Sequence, residues 1–238
     1  MNNSQANAMN TAENNRLIQQ MPNVRVFYEK KGRAKYISHL DFTRCMQRAL
    51  KRAGIPVWYS QGFNPHMYLS FALPLALGYE SECEVMDLRL TVPMDFEEMK
   101  NRLNQVLPPD IRVLRAALQQ NKPQTIVKAL YQITLAGEQA GEAGKAFDGF
   151  IEQESILVMK RTKKGPKEVD IRPDFEMVSK TEEPGSVVYT GYFSAGQKNI
   201  NPTLLTDCFL QQHPDFAESI QVKVLRKQVY MENGEAFC

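Results

Sequence analysis

A helical period governs the stretch from residue 38 to residue 53. Apolar side chains recur there at spacings of three and four, which predicts a helix with one core-facing stripe. Ser38 and Asp41 have the spacing of a capping box with a short acid, and Gly54 followed by Pro56 marks the end of the helix. The stripe comprises Phe42, Met46, Ala49, Leu50 and Ala53.

The opposite side of this helix carries four cations that follow the same period. Like charges three and four residues apart repel one another, so the helix gains no stability from them. Two interpretations remain open: a solvated face, and a ridge that meets the phosphate groups of a nucleic acid. The four residues are Arg44, Arg48, Lys51 and Arg52.

A turn rich in Gly, Asn and Pro follows the helix. Gly62 permits a positive φ and Asn64-Pro65 favours turn initiation, so we expect an ordered loop. If the loop exposes Phe63 and His66, the ring of Phe63 can stack on unpaired bases beside the basic helix. The alternative is that Phe63 turns back into the core and anchors the loop.

The pattern along residues 22–120 predicts a first ferredoxin-like domain. Strand-type and helix-type segments follow the order β-α-β-β-α-β, that of a split βαβ unit with an antiparallel sheet and both helices on one face. A further strand-type run at 84–91 is either an addition or the hairpin partner of the run before it. The segments are the strand 24–30, the helix 38–53, the strand near Val57, the strand 69–75, the helix 95–106 capped by Asp95, and the strand 111–118.

Residues 127–238 repeat this order and predict a second, more elaborate ferredoxin-like domain. The polar, proline-containing segment 121–126 has the character of a linker. Residues 1–21, rich in Asn, Gln and Ala, predict a disordered leader. The predicted fold class is therefore α+β, with two ferredoxin-like (βαββαβ) units. The later segments are the strand 129–135, the helix 142–152, the hairpin 155–161 with 167–172, the strand 186–193, the helix 203–211 and the strand 220–230.

A second basic cluster surrounds the Gly165-Pro166 turn of the predicted hairpin. A hairpin tip with this charge can reach a nucleic-acid backbone and release counterions. The alternative is a solvated turn whose lysines keep an edge strand soluble. We expect Asp170 to pair with Arg172 or Lys167 and hold the tip in shape. The cluster residues assigned to RNA binding are Lys160, Arg161, Lys163, Lys164 and Lys167.

The composition of the chain excludes some classes of function but does not identify one. Apolar residues make up 43% of the chain, enough for a packed core, and a net charge of +2 gives no global argument for nucleic acid. No apolar run approaches a membrane span and no signal pattern is present, so cytoplasmic residence is the default. The four cysteines lack iron–sulfur spacing, and free, mostly buried thiols are expected. No Walker or Rossmann phosphate loop occurs, so a nucleotide-driven enzyme is not expected. No cofactor and no metal are assigned, since a zinc site from distant Cys and His residues has no support in the sequence.

Four blocks of sequence carry a family resemblance. They are ISHLDFTRCMQRALKRAGIP, YSQGFNPH and LSFALPLALGYESE in the first half, and KKGPKEVDIRP at residues 163–173. On these residues the chain, from about Val24 onward, resembles the bacterial radical SAM-linked (radical SAM-associated) protein family of unknown function. Members of that family are found beside, or fused to, cobalamin-binding-type radical SAM proteins, and near genes for ribonuclease E/G and ribosomal proteins. The resemblance implies a role near RNA or ribosomes and supplies no catalytic residues.

Three functional hypotheses follow from these features. The first is a non-catalytic accessory that binds tRNA or rRNA and presents it to a radical SAM enzyme, with no DNA or membrane partner. The second is a protein-docking module for that enzyme. The third is a metal-independent ribonuclease, which needs an acid, a base and a cation at the scissile phosphate. Its catalytic candidates are His39, His66 and Tyr36, although His39 at the first helical position equally suits a capping or packing role.

Overall fold

The computed structural model describes residues 21–162 and 165–238. Those residues form a mixed α/β structure with a large, mostly antiparallel sheet and four helices. Lys163, Lys164 and the predicted leader up to residue 20 lie outside the described residues.

The helices and strands are numbered here in chain order. None of the helices in the described part of the chain is long and apolar enough to cross a membrane. The helices are α1 (His39–Arg52), α2 (Phe96–Val106), α3 (Ala140–Ile151) and α4 (Pro202–Gln212). The strands are β1 (Asn23–Lys30), β2 (Leu69–Phe71), β3 (Glu80–Arg89), β4 (Ile111–Leu118), β5 (Ile126–Gly137), β6 (Leu157–Thr162), β7 (Gly165–Asp170), β8 (Phe175–Glu183), β9 (Ser186–Ser194) and β10 (Ile220–Met231).

The chain divides into two compact units whose segments interleave along the sequence. The first unit contains residues 21–28, 40–72 and 85–120. The second unit contains residues 29–39, 73–84 and 121–238. Strands β1 and β3 and helix α1 therefore each contain residues of both units, and His39 is the residue of α1 that belongs to the second unit.

In the first unit, β1 lies between β4 and β3, and β2 pairs with β3. The β2–β3 pairing is antiparallel, with Leu69 opposite Leu88 and Phe71 opposite Met86. The run at 84–91 is thus the hairpin partner, the alternative left open by the sequence. The strand predicted near Val57 is reduced to an isolated bridge between Val57 and Leu90. Pro56 cannot donate a ladder hydrogen bond, and the turn at residues 60–66 begins soon after Val57. Few residues are therefore free to extend the pairing.

The core of the first unit is built by the predicted stripes of α1 and α2. Helix α1 buries Phe42, Met46, Ala49 and Leu50. Helix α2 begins as predicted, because the Asp95 carboxylate accepts a hydrogen bond from the amide of Glu98 at 2.8 Å. It buries Met99 and Leu103.

In the second unit, β10 is paired on one side with the start of β3 and on the other with β5. The β10–β3 pairing is parallel, with Leu225 opposite Glu80. The β10–β5, β5–β9 and β9–β8 pairings are antiparallel. Strand β8 was absent from the sequence prediction, and the β6–β7 hairpin forms a separate two-stranded sheet.

Aromatic packing fills the core of the second unit, which includes a disulfide. The ring centroid of Phe147 lies 4.8 Å from that of Tyr189 and 5.1 Å from that of Phe209. Cys83 and Cys238 form a disulfide, with their Cα atoms 5.7 Å apart. The expectation of four free thiols is therefore wrong for this pair. Nothing in the local sequence signals it, because 155 residues separate the two cysteines.

Candidate nucleic-acid interface

Helix α1 presents all four predicted cations to solvent. Its apolar stripe is held in the core, so the period of the sequence leaves Arg44, Arg48, Lys51 and Arg52 on the exposed side. A cation that is already bonded within the protein is less available to a phosphate group than one that is not.

Two of the four cations, Arg44 and Arg52, are bonded to other groups of the protein. Arg44 Nη1 lies 3.1 Å from the Asp41 carboxylate one turn earlier. Arg52 donates a hydrogen bond to the carbonyl oxygen of Val106 at 2.9 Å, which ties α1 to the C-terminal end of α2. The side chains of Arg48 and Lys51, by contrast, form no ion pair or hydrogen bond within the described residues.

The C-terminal end of α1 is closed by backbone hydrogen bonds to the carbonyls of Lys51 and Leu50. The Gly54 amide bonds to the Lys51 carbonyl at 3.1 Å, and the Ile55 amide bonds to the Leu50 carbonyl at 3.0 Å. This is a Schellman motif, in which the residue after the cap takes a left-handed conformation. Gly54 supplies it, with φ of 64°.

The substitution Gly54→Ala is expected to lower the free energy of unfolding by about 1–2 kcal/mol. Strain causes this loss rather than crowding, since the nearest atom to an added Cβ is Nη1 of Arg102 at 3.7 Å. Denaturant unfolding measures the effect. Gly149→Ala within α3 is the control: its Cβ would meet nothing within 4 Å, and it should raise stability by up to about 1 kcal/mol. A loss of stability in both variants, or a gain in both, would contradict the role assigned to the left-handed conformation of Gly54.

The turn after α1 is ordered by one side chain. Its base is a bridge between Tyr59 and Met67. Ser60 Oγ accepts the amide of His66 at 3.1 Å and lies 2.7 Å from His66 Nδ1. The Ser60 amide in turn donates to the His66 carbonyl at 2.8 Å. These bonds close residues 60–66 into a defined loop.

The loop holds Phe63 in solvent rather than in the core. Gly62 has φ of 127°, a value open to glycine, and Phe63 beside it is fully exposed. The alternative in which Phe63 anchors the loop in the core is therefore wrong. A fully exposed aromatic ring forfeits about 1.5–3 kcal/mol of burial, so its position is consistent with a surface that binds a partner.

Helix α1 and this loop enclose a cleft of about 290 Å³. We call it the α1 cleft. Arg48 and Lys51 line it from the helix, and His66 lines it from the loop. Among the described residues, no carboxylate takes part in its lining. The remaining lining residues are Gln47, Tyr59, Pro65 and Met67.

Nδ1 of His66 faces the loop. It lies 2.7 Å from Ser60 Oγ and 3.3 Å from the Asn64 carbonyl oxygen, and Ser60 Oγ accepts the His66 amide. The α1 cleft therefore offers a guanidinium, an ammonium and an imidazole ring to an anion.

The second basic cluster is described only in part. Lys160 donates to the carbonyl oxygen of Asn199 at 2.7 Å, and Lys167, opposite it in the hairpin, is exposed. Asp170 accepts the amides of Ile156 and Arg172, and these backbone hydrogen bonds hold its pKa below the usual range. Lys163, Lys164 and the side chain of Arg161 lie outside the described residues.

The three catalytic candidates do not all belong to the same unit. Tyr36 and His39 belong to the second unit and His66 to the first. Tyr36 is exposed, with the ammonium of Lys35 5.4 Å from its ring centroid, and His39 is exposed as the first residue of α1. Within the described residues no group of three or more His, Cys, Asp or Glu side chains is arranged to hold a metal ion.

Several residues of the α1 cleft were not predicted from sequence. Gln47 and Lys51 are four residues apart, which places them on one face of the helix, so Gln47 could have been found from the period alone. Pro65 and Met67 become neighbours of the helix only through the loop closure made by Ser60 and His66. No local pattern signals that closure.

The chain is similar to a protein family and to solved structures. The model of a family described as "Uncharacterized protein conserved in bacteria (DUF2344)" matches residues 23–202. No curated protein matches the chain. A crystal structure of an unknown protein from Galdieria sulphuraria is similar at 12% sequence identity and a TM-score of 0.28, covering 87% of this chain and 99% of that one.

Proposed function

The chain belongs to DUF2344, a family of uncharacterized proteins conserved in bacteria, and on that premise we propose that it is a non-catalytic RNA-binding accessory protein. The observation that carries the proposal is the α1 cleft. Two cations with no intramolecular partner in the described chain, Arg48 and Lys51, line it together with His66 and without a carboxylate. A site of that charge favours a phosphate backbone over a neutral ligand.

Phe63 gives the proposal its preference for unpaired bases. Its ring is fully exposed two residues before Pro65, which lines the α1 cleft. Stacking of a base on an exposed aromatic ring contributes about 1–3 kcal/mol and needs a base that is not already paired. Single-stranded segments of tRNA or rRNA supply both the base and the phosphate. The hairpin lysines Lys160 and Lys167 form a second contact region.

Each half of the chain is, in this proposal, a ferredoxin-like unit. Strands β1 to β4 of the first half lie in the order 4-1-3-2. Strands β5, β8, β9 and β10 of the second half follow the same order, with the β6–β7 hairpin as an insertion. Each connecting helix then joins two strands that have a third strand between them, the arrangement of a split βαβ unit. This repeated order supports the duplication.

The cellular setting of the proposal comes from the resemblance to radical SAM-linked proteins. In that setting the chain is cytoplasmic and bacterial, and it holds RNA for a radical SAM enzyme. The partner enzyme and the docking hypothesis stay predictions. The ribonuclease hypothesis has His66, Tyr36 and His39 as its candidates and also stays a prediction.

Paired substitutions in α1 test the RNA proposal. The double variant Arg48→Gln, Lys51→Gln is expected to bind single-stranded RNA about tenfold more weakly, with a salt dependence reduced by about 1–1.5 units for two lost phosphate contacts. Fluorescence anisotropy against a labelled RNA strand across a salt series measures both quantities.

The matched control removes the same charge from the same helix. Arg44→Gln, Arg52→Gln deletes two cations that are already bonded to Asp41 and to the carbonyl of Val106, so its RNA affinity should change less than threefold. Equal losses in the two double variants would show a diffuse charge effect and reject the α1 cleft. Failure of the unaltered protein to bind RNA at low salt would reject the RNA-binding function.

A further inference from the structure

The α1 cleft brings two cationic side chains and an imidazole ring to one site. Arg48 presents a planar fork that bonds two oxygens at once, Lys51 adds an ammonium, and His66 adds an imidazole ring. A bridging phosphate in an RNA strand offers two free oxygens and a single negative charge. A terminal phosphate offers three free oxygens and about −1.5 to −2 charges at pH 7.

The charge balance of the lining favours the same ligand. Arg48 and Lys51 bring two positive charges, and none of the lining residues is acidic. A diester brings a single negative charge to these two cations, whereas a dianion matches both.

The size of the cleft limits what accompanies the phosphate. Its volume of about 290 Å³ is at the lower end of small-molecule sites. Tyr59, Pro65 and Met67 supply the less polar part of its lining, which suits the sugar and base of a single nucleotide. A duplex does not fit a space of this size.

We propose that the α1 cleft recognises a phosphate monoester, the group at a phosphorylated RNA end or on a free mononucleotide. This inference rests on the proposed RNA-binding function and adds the identity of the group that occupies the site. Phe63, outside the cleft on the same loop, is then placed to stack on the base of the adjoining nucleotide.

The test compares RNA strands of one sequence that differ only at their ends. Anisotropy competition uses a 5′-phosphorylated strand, a 3′-phosphorylated strand and a strand with hydroxyls at both ends. Binding to one of the phosphorylated strands is expected to be about tenfold tighter than to the hydroxyl strand. The preference should disappear in Arg48→Gln, Lys51→Gln and persist in Arg44→Gln, Arg52→Gln. Equal melting temperatures of the variants exclude misfolding as the cause.

The outcomes separate this inference from the proposed function. Equal affinity for the three strands overturns the inference and leaves RNA binding intact. Absence of binding to every strand, together with saturable binding of adenosine monophosphate that needs Arg48 and Lys51, supports the monoester site and assigns it to a free nucleotide. Absence of binding to both RNA and the mononucleotide overturns both proposals.

Discussion

Replacing Arg226 with alanine is expected to lower the free energy of unfolding by about 3–5 kcal/mol, since breaking a buried ion pair leaves a charge in the interior. Arg226 is 3% exposed, and its guanidinium donates to the Glu84 carboxylate and to the Leu73 carbonyl, each at 2.7 Å, and to the Tyr131 hydroxyl at 3.2 Å. Urea unfolding measures the loss. Lys223→Ala, which removes an exposed cation from the same strand, should change stability by less than about 0.5 kcal/mol.

The pH dependence of the Arg226→Ala variant provides a second readout. Burial already raises the pKa of Glu84, and Arg226 opposes that rise, with Lys30 contributing a smaller effect. Removing Arg226 should raise the pKa further. A carboxyl whose pKa is raised in the folded state stabilises the fold below its unfolded pKa and loses that contribution as pH rises through the folded pKa. The variant should therefore lose less stability near pH 5 than near pH 8, and a loss independent of pH would contradict this account.

The second large effect is expected from Asp87→Ala in the first unit. Asp87 accepts two bonds from the Arg25 guanidinium, at 2.6 and 2.8 Å, and one from the Gln119 amide at 2.8 Å. Both members of the ion pair are buried. Loss of the carboxylate should again cost about 3–5 kcal/mol, because a buried guanidinium loses its counter-charge and two bonds.

An exposed pair in the same unit provides the control for Asp87. Glu97 pairs with Lys100 on the surface of α2, and Glu97→Ala should cost less than about 1 kcal/mol. Urea unfolding of the two variants under one set of conditions compares them directly. Similar losses for Asp87→Ala and Glu97→Ala would mean that burial does not govern the energy of these ion pairs.

Helices were predicted well because their signals are local. Helix α1 was expected at 38–53 and occupies His39–Arg52, and α2 begins at its predicted cap, Asp95. Caps, breakers and a period of 3.6 lie within a few residues of one another, so one stretch of sequence contains the whole signal. The extended strand β10 was also predicted nearly to its ends.

Strand β8 and the buried charges could not be predicted for a common reason. Beyond Phe175, β8 shows mostly exposed positions, and backbone pairing with β9 maintains it rather than a hydrophobic pattern. Arg25 carries a charge, yet it is buried in β1 because Asp87, 62 residues away, neutralises it. Long-range pairing decides both cases, and one sequence does not display it.

The same distinction between local signals and long-range contacts applies to the candidate site. The basic stripe and the ordered loop after α1 followed from local patterns. Arg44 is paired with Asp41 and Arg52 is bonded to Val106, whereas the side chains of Arg48 and Lys51 have no partner in the part of the chain that the structure describes. This difference depends on neighbours in space. The exposure of Phe63 likewise depends on the whole loop rather than on its own residue type.

The interleaving of the two units bears on how fragments of this protein would behave. A polypeptide limited to residues 121–238 would lack the segments 29–39 and 73–84, which complete the second unit. It would carry Arg226 without Glu84, and Cys238 without the sulfur to which it is bound. Such a fragment should be insoluble or largely unstructured when expressed alone, and co-expression with the missing amino-terminal portion should rescue it by complementation.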